Sequence, residues 1–207
     1  GEAALICVLP GSRRGEIARL SGRFGAVLGA LAARIGPVRA VVPAAAGLAG
    51  AVRAAAAGWP VETVVLDPAE AASPAAAERR KFAAMAASDA ALAASGTVSL
   101  ELAALGAPHV SAYAVAPLSA AVARFLIRVP TANLVNLLTE RDAVPEFLQE
   151  RFRPTPAAEA LARLIEDEAA RARQREMFAR AMAALGRGGP PPSARAAEAV
   201  LRVIGRG

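Results

Sequence analysis

Residues 5–16 of the chain read LICVLPGSRRGE: an apolar run, a turn of small residues, and then a charged stretch with helical character. A second segment of the same design, ALAASGTVSLE, occupies residues 91–101. Each segment predicts a strand, a tight turn and the start of a helix. Because the first N–H groups of a helix have no partner within it, each turn leaves backbone donors free.

Strand-like apolar runs alternate with helical patterns over the first 115 residues, which is typical of βα units that build a parallel sheet. The predicted strands are residues 5–9, 38–42, 61–66, 90–93 and 110–113. We therefore predict an α/β fold with a Rossmann-like, doubly wound parallel sheet in a domain of residues 1–155. A helical C-terminal tail is predicted for residues 156–207, with a linker at 186–192 that is rich in Gly and Pro.

The later part of the chain gives more local predictions. In chain order they are an amphipathic helix over Pro117–Arg128, a loop or short strand over Thr131–Leu138, a short helix over Pro145–Phe152, a helical stretch broken near Asp167, and a final helix capped by Ser193. The apolar face of the first of these helices suits a core or subunit contact, and it also suits a membrane surface.

Charge and rare residues limit the classes of function. The net charge of +6 comes almost wholly from arginine, since Lys81 is the only lysine. The arginines are spread along the chain with few aromatic residues among them, which disfavours nucleic acid as a partner. Cys7 and His109 are the only residues of their types, which excludes a disulfide framework and a multi-histidine metal site. We expect His109 to be structural.

The chain begins at Gly1 without an initiator Met and enters a strand almost at once. We therefore expect a fragment that was cut just before the first strand of a domain. With a single cysteine and no signal-peptide pattern at its start, reduced cytoplasm is the expected location.

The first turn offers candidate phosphate ligands at Gly11, Ser12 and Arg13. Gly11 permits a close approach of the backbone, Ser12 is a candidate N-cap, and the guanidinium of Arg13 suits two phosphate oxygens. Taken alone, the same pattern also fits an ordinary capped helix with a solvated arginine.

The second turn is more specific because it places Ser95, Gly96 and Thr97 one helical turn before Glu101. With a rise of about 1.5 Å per residue, Glu101 lies roughly 6 Å further along the helix than Thr97. A phosphate at the turn would leave its ribose near that carboxylate, which can accept from both ribose hydroxyls. Both turns follow strands of one parallel sheet, and ligands of such sheets bind at the carboxyl edge. The two segments together predict a nucleotide-diphosphate site, and a capped helix with an exposed glutamate is the simpler alternative for the second.

Asn136 is embedded in the apolar run LVNLL, residues 134–138. A buried amide needs hydrogen-bond partners, so Asn136 either ties a loop or meets a ligand. Spacing alone favours the loop tie.

Three pieces of the sequence, in this order and spacing, resemble the lipid-A-disaccharide synthase family. They are LPGSR at residues 9–13, SDAALAASGT at 88–97 with Leu100 and Glu101, and NLL at 136–138. The resemblance covers only the family's C-terminal, donor-binding half, which is one half of a GT-B glycosyltransferase. It implies transfer of 2,3-diacylglucosamine from UDP to 2,3-diacylglucosamine 1-phosphate, with inversion and without a metal or cofactor.

The resemblance also implies roles for individual residues. Arg13 would act at the diphosphate, Ser95, Gly96 and Thr97 would contact phosphate, and Glu101 would bind the ribose. Asn136 matches an important asparagine of the active-site cleft, and the general base is expected in the missing N-terminal half. Two departures are Val135, where members often have proline, and residues 114–117, where relatives often carry basic side chains.

Expected partners follow from the same resemblance: the two lipid substrates, the N-terminal acceptor half, a second copy of the chain, and the cytoplasmic face of the bacterial inner membrane. Half of a UDP-N-acetylglucosamine 2-epimerase-like enzyme or of a peptidoglycan-type glycosyltransferase remains an alternative, because these share the fold and the ribose-binding acid. A stand-alone nucleotide-binding module is a third hypothesis.

Overall fold

A computed structural model describes residues 2–114, 131–140 and 142–205 of the chain. The helix expected over Pro117–Arg128 lies outside these ranges. The strands within them are β1 (Ala4–Leu9), β2 (Val38–Pro43), β3 (Glu62–Leu66), β4 (Ala90–Ala94), β5 (His109–Tyr113) and β6 (Glu146–Leu148). The α-helices within them are α1 (Arg14–Ile35), α2 (Ala49–Ala56), α3 (Pro74–Ala87), α4 (Val98–Ala104), α5 (Leu134–Thr139), α6 (Pro154–Glu166), α7 (Glu168–Ala184) and α8 (Pro192–Ile204).

The described strands form one parallel sheet in the order β3-β2-β1-β4-β5-β6. This order reverses between β1 and β4, as in doubly wound folds, where the crevice at the reversal binds ligands. The register pairs Leu9 with Ala93, so β1 and β4 reach the carboxyl edge side by side. The α/β, doubly wound architecture predicted from the sequence is confirmed.

Helices cover both faces of this sheet, because successive residues of each strand point to opposite sides. On β1, Ile6 and Val8 join a core cluster with α1, α2 and α6. Cys7 and Leu9 join a separate cluster with Met85 of α3 and Leu102 of α4. Strand β4 is fully buried and consists of alanines apart from Leu92, which lets helices approach its faces closely.

Helix α1 is the main cover of the first face. Its buried residues recur at helical spacing and are Ile17, Leu20, Ser21, Phe24, Gly25, Val27, Leu28 and Leu31. Trp59 packs against the middle of this helix: its Nε1 donates to the Ser21 carbonyl at 2.9 Å. A Cβ on Gly25 would lie 2.5 Å from Cδ1 of Trp59, so glycine is what allows the ring to lie there.

Two local predictions are wrong. In place of the helix predicted over residues 145–152, the structure has strand β6 (Glu146–Leu148), which pairs with β5 at the edge of the sheet, and then a 3₁₀ turn at Gln149–Arg151. Residues 134–139 form helix α5, whose N-cap Asn133 accepts hydrogen bonds from the backbone of Val135 and Asn136. A three-residue strand has no periodicity to read, and it forms because the edge of β5 offers it backbone partners.

The boundaries of the last helices confirm one prediction and correct another. The break predicted near Asp167 is confirmed, because Asp167 ends α6 and caps α7 by accepting from the Ala170 N–H at 3.0 Å. Ser193 does not cap the final helix, since α8 begins at Pro192 after Pro191. Proline suits a first helical position because its missing N–H would have no partner there.

The helices after residue 155 differ in how they contact the sheet domain. Helix α6 contributes Leu161 and Ala162 to the main core, and α7 packs Phe178 and Met182 into a smaller cluster. Helix α8 exposes its apolar residues Val200, Leu201, Val203 and Ile204. A membrane-crossing helix is absent from the described ranges, since none there combines the necessary length and apolarity.

Candidate functional site

A cavity of about 390 Å³ lies at the carboxyl ends of β1 and β4. It is lined by Leu9, Gly11, Ser12, Arg13, Glu16, Pro43, Ala44, Ala45, Lys81, Ala94, Ser95, Gly96, Thr97, Val98, Glu101 and Tyr113. All members of both predicted turns and the predicted ribose acid Glu101 are among these residues. A larger open groove, about 930 Å³ between α6 and α7, contains none of them. The smaller cavity is therefore the candidate site, because it combines the predicted donors with the position where doubly wound sheets bind ligands.

The first turn depends on glycine. Gly11 has a φ of +117°, and a Cβ there would lie 2.5 Å from Oε2 of Glu16. That carboxylate oxygen accepts the Ser12 N–H at 2.9 Å, so Glu16 holds the turn against the first turn of α1. The arrangement resembles half of a capping box in which the acid at N3 reaches back to the entering chain.

The predicted role of Ser12 as N-cap is wrong. Arg13 takes the N-cap position with extended backbone, and no side chain caps α1. In a capping box the acid stands three residues after the N-cap. Glu16 is four residues after Ser12 and three after Arg13, so its position fits Arg13 as the N-cap. Within the described part of the chain, the N–H groups of Arg14 and Gly15 consequently have no hydrogen-bond partner.

Arg13 places a nearly free cation at the cavity. Its side chain is 80 % exposed, and among the described residues its ion-pair partner is Glu16, with Nη1 and Oε1 3.5 Å apart. An exposed pair at this distance contributes little, so the guanidinium can turn toward an anionic ligand without losing a strong contact.

The second turn presents backbone donors rather than the Ser95 side chain. The Ser95 hydroxyl donates to Glu146 Oε1 at 3.0 Å and lies 2.5 Å from the Ser111 hydroxyl, while its N–H donates to the Ala112 carbonyl. Within the described residues, the N–H groups of Gly96 and Thr97 have no such partner. Ser95 therefore holds the turn in place, and the neighbouring N–H groups are the ones left for a ligand.

Glu146 is a residue that the sequence analysis missed. Its Oε2 accepts from the Thr131 hydroxyl at 2.7 Å and from the Ala132 N–H at 3.1 Å, while Oε1 accepts from Ser95. The carboxylate thus ties the second turn to the segment that leads into α5. The sequence signal for Glu146 is weak: it is a charged residue that follows Pro145 within the otherwise apolar stretch AVPEFL, residues 143–148.

Thr97 and Glu101 belong to the same end of α4. Thr97 is the N-cap, and its hydroxyl makes no capping hydrogen bond. Oε2 of Glu101 lies 2.5 Å from Nζ of Lys81, which α3 brings to the cavity. Lys81 is the second residue that sequence reasoning did not assign to the site, and no spacing along the chain connects it to Glu101.

Asn136 lies apart from the residues that line the cavity. Its side chain is 4 % exposed, donates to the Val144 carbonyl at 2.9 Å and accepts the Val144 N–H at 2.8 Å. The loop tie favoured by the sequence is confirmed. The catalytic role implied by the resemblance stays a prediction, and both functional groups of this amide already have backbone partners.

His109 and Cys7 are buried in the core and do not line the cavity. Burial lowers the pKa of His109 from 6.5 to about 4; the ring stacks on Phe178, and Nδ1 donates to the Ala107 carbonyl at 3.1 Å. Burial raises the pKa of the Cys7 thiol to about 12, against a smaller opposing effect of Lys81. His109 is a structural residue, as predicted, and its place in the core keeps it neutral. In the parts of the chain that the structure describes, no three acidic, Cys or His side chains are grouped to hold a metal.

Comparisons with known proteins show the family of the chain. The family model of lipid-A-disaccharide synthetase matches residues 1–189. The chain is 46 % identical over 201 residues to a lipid-A-disaccharide synthase of Ruegeria pomeroyi, covering 97 % of this chain and 49 % of that protein. For the synthase of Rhodospirillum centenum the identity is 44 % over 203 residues, with coverages of 98 % and 48 %. The chain thus spans about half the length of the curated relatives it matches.

Solved structures show the same fold. A calicheamicin glycosyltransferase matches with a TM-score of 0.54 at 24 % identity, over 99 % of this chain and 43 % of that one. A UDP-forming α,α-trehalose-phosphate synthase from Burkholderia vietnamiensis matches with a TM-score of 0.51 at 13 % identity, over 89 % and 41 %. These likenesses concern the fold alone, and they agree with the predicted α/β architecture of the chain. The family match and the identities above 40 % to its curated members show that this chain belongs to the lipid-A-disaccharide synthetase family.

Proposed function

We propose that this chain is the donor-binding half of a glycosyltransferase of lipid A biosynthesis. The complete enzyme would move 2,3-diacylglucosamine from UDP to 2,3-diacylglucosamine 1-phosphate and form the lipid A disaccharide. The observation that carries the proposal is the meeting of both turns, Arg13 and Glu101 around one cavity. Family membership favours this function over the epimerase-like and peptidoglycan-type alternatives.

The cavity suits the nucleotide part of such a donor. Its volume of about 390 Å³ falls within the roughly 300–1,000 Å³ that is usual for small-molecule sites. Backbone N–H groups of the two turns would bind the diphosphate together with Arg13, and Glu101 would accept from the ribose hydroxyls. The acyl chains of the donor would lie outside this cavity.

The reaction step supported by these groups is stabilisation of the leaving group. As the bond between the sugar and UDP breaks, negative charge grows on the diphosphate. Donors already oriented at that position lower the barrier without rearranging. We assign no general base to this chain, and the proposed chemistry uses no metal or cofactor.

The partners belong to the proposal as well. They are the two lipid substrates, the N-terminal acceptor half, a second copy of the chain, and the cytoplasmic face of the bacterial inner membrane through peripheral contact; nucleic acid is not among them. The exposed apolar face of α8 is consistent with a tail that packs on the acceptor half or on a second copy.

Calorimetric titration of the chain with UDP, UMP and a UDP-sugar tests the donor site without requiring turnover. We expect UDP to bind more tightly than UMP. Arg13→Ala should weaken UDP binding by about tenfold, the size of one charge-assisted contact, and abolish activity in the complete enzyme.

Arg14→Ala is the matched control, because it removes the neighbouring exposed arginine, which does not line the cavity. It should leave UDP affinity unchanged. Equal affinity of the unaltered chain and Arg13→Ala for UDP would remove Arg13 from the site, and absence of UDP binding to the unaltered chain would overturn the proposed function.

A further inference from the structure

Lys81 is the only lysine of the chain, and it lies in the candidate cavity. Helix α3 carries it, whereas the phosphate turns lie at the starts of α1 and α4. Its ammonium contacts one oxygen of Glu101, with Nζ and Oε2 2.5 Å apart. The arginines next to it, Arg79 and Arg80, are exposed and do not line the cavity.

The two carboxylate oxygens of Glu101 are in different surroundings. Oε2 is buried, and Lys81 is its one partner in the described part of the chain, by charge contact and not by a directed hydrogen bond. The Glu101 side chain as a whole is nevertheless 36 % exposed. Because Oε2 is buried, the exposed surface of this side chain belongs to its other atoms, and Oε1 is the polar atom among them.

We propose that Lys81 is a positioning residue that fixes Glu101 by one oxygen, so that the other faces the cavity and selects a ligand with ribose hydroxyls. This inference rests on the proposed function, since it assumes a nucleotide in the cavity. A carboxylate held at one oxygen loses the freedom to rotate, and the remaining oxygen accepts hydrogen bonds at a defined position.

The charges around the cavity give Lys81 a second effect. Glu16 and Glu101 are the acidic lining residues, and Arg13 and Lys81 are the basic ones. The described lining is thus neutral in sum. Without Lys81 it would carry an uncompensated carboxylate close to the place where a diphosphate is proposed to bind, and like charges repel.

The alternative is that Lys81 contacts the phosphate itself, and ribose selectivity separates the two roles. UDP and 2′,3′-dideoxy-UDP carry the same diphosphate and differ only in the hydroxyls. If Lys81 acts through Glu101, its loss lowers the preference for UDP over the dideoxy analogue. If Lys81 binds phosphate, its loss weakens both ligands by the same factor and leaves their ratio unchanged.

The test is calorimetric titration of both nucleotides into the chain and its variants. We expect the unaltered chain to prefer UDP by about tenfold or more, as for one hydrogen bond to a charged group. Lys81→Met should lower this ratio toward one, and Lys81→Arg, which keeps a cation, should restore much of it. Arg80→Met is the matched control and should leave the ratio unchanged. Lys81→Gln, which is uncharged but polar, gives a second measurement should Lys81→Met fail to fold.

A double-mutant cycle completes the test, because residues that act through each other have non-additive effects. In a Glu101→Gln background, Lys81→Met should cause no further change in the ratio. An unchanged ratio in Lys81→Met, or a ratio of one in the unaltered chain that still binds UDP, would overturn this inference and leave the diphosphate site intact. Failure of the unaltered chain to bind UDP would overturn the proposed function and this inference with it.

Discussion

Asn136 uses both ends of its side-chain amide on the backbone of Val144, and this pairing gives the residue a structural effect that can be measured. In Asn136→Ala, the N–H and C=O of Val144 lose these partners in a buried position. We expect the free energy of unfolding to fall by about 2–4 kcal/mol, measured by urea denaturation.

Asn136→Asp is the matched variant, because it keeps an acceptor for the Val144 N–H and loses the donor. It should have an intermediate stability. If Asn136→Ala unfolds like the unaltered chain, yet the complete enzyme carrying it loses turnover, the loop tie is unimportant and the residue acts in the chemistry.

His109 makes the stability of the chain depend on pH. Burial lowers the pKa of His109 in the folded chain from 6.5 to about 4, so the unfolded chain binds more protons between these values. The free energy of unfolding should be at its full value above about pH 6.5 and fall toward pH 4, with at most about 3 kcal/mol from this group. Urea denaturation at several pH values measures the slope.

His109→Phe is the comparison, since it keeps a ring against Phe178 and has no proton to gain. Its stability should change less between pH 6.5 and 4 than that of the unaltered chain. The pKa of Asp167 is lowered by hydrogen bonding to the Ala170 N–H, so its contribution is lost only below this window and is the same in both chains. If the free energy of unfolding of both chains changed equally between pH 6.5 and 4, His109 would have the same pKa in the folded and the unfolded chain.

Several site residues could be found from the sequence because the relevant signal is local. Gly11, Ser12 and Arg13 stand directly after one strand, and Ser95 to Thr97 stand directly after another, so the parallel sheet brings them together. Lys81 and Glu146 carry no such signal. They reach the site because α3 and β6 pack beside α4 and β5, and only the three-dimensional structure shows that proximity.

At the scale of elements, helix α1 offers two glycines with opposite expected behaviour. Gly25→Ala would place a Cβ 2.5 Å from Cδ1 of Trp59, so the ring must move, and we expect a loss of about 1–3 kcal/mol. Gly22→Ala has open space around it and removes backbone freedom from the unfolded chain, so a gain of about 0.5–1 kcal/mol is expected.

Urea denaturation followed by the fluorescence of Trp59, the only tryptophan, measures both variants. The change at Gly25 should also shift the native emission, because the indole lies against that position. Equal stabilities of the two variants would mean that α1 adjusts to the extra methyl group without strain.

The elements that sequence reasoning found are those with enough residues to show a period. Helix α1 has 22 residues and a continuous buried face, and strands β1 to β5 are apolar runs between clear turn signals. Strand β6 has three residues and α5 has six, so neither shows a pattern by itself. Asn133 before α5 was the one readable signal, as asparagine is a favoured N-cap.

At the scale of the whole molecule, helices α6 and α7 contribute buried residues to the core clusters, whereas the apolar residues of α8 are exposed. Helix α8 leaves Val200, Leu201, Val203 and Ile204 exposed, and Arg195 at its start donates a hydrogen bond to the carbonyl of Leu185, just after the preceding helix. A chain that ends at Gly189 should therefore keep its stability within about 0.5 kcal/mol, as for changes at exposed positions.

A second cut, after Arg153, tests the division predicted at residue 155. It removes α6, whose Ala157 and Leu161 are fully buried against the sheet domain. We expect this chain to lose cooperative thermal unfolding, which circular dichroism would detect. If it unfolds as the full chain does, the helices after residue 155 are an independent unit.

The engagement of the Ser95 hydroxyl with Ser111 and Glu146 has an evolutionary consequence. If the donors left for an anion at this turn are peptide groups, they are present whatever side chains occupy positions 97 and 98. Selection would then preserve the path of the chain, through Gly96 and the carboxylate behind it, more strictly than the identity of the exposed residues. Alanine, which is abundant in this chain, could then replace the side chains at positions 97 and 98 while the proposed backbone donors for phosphate are kept.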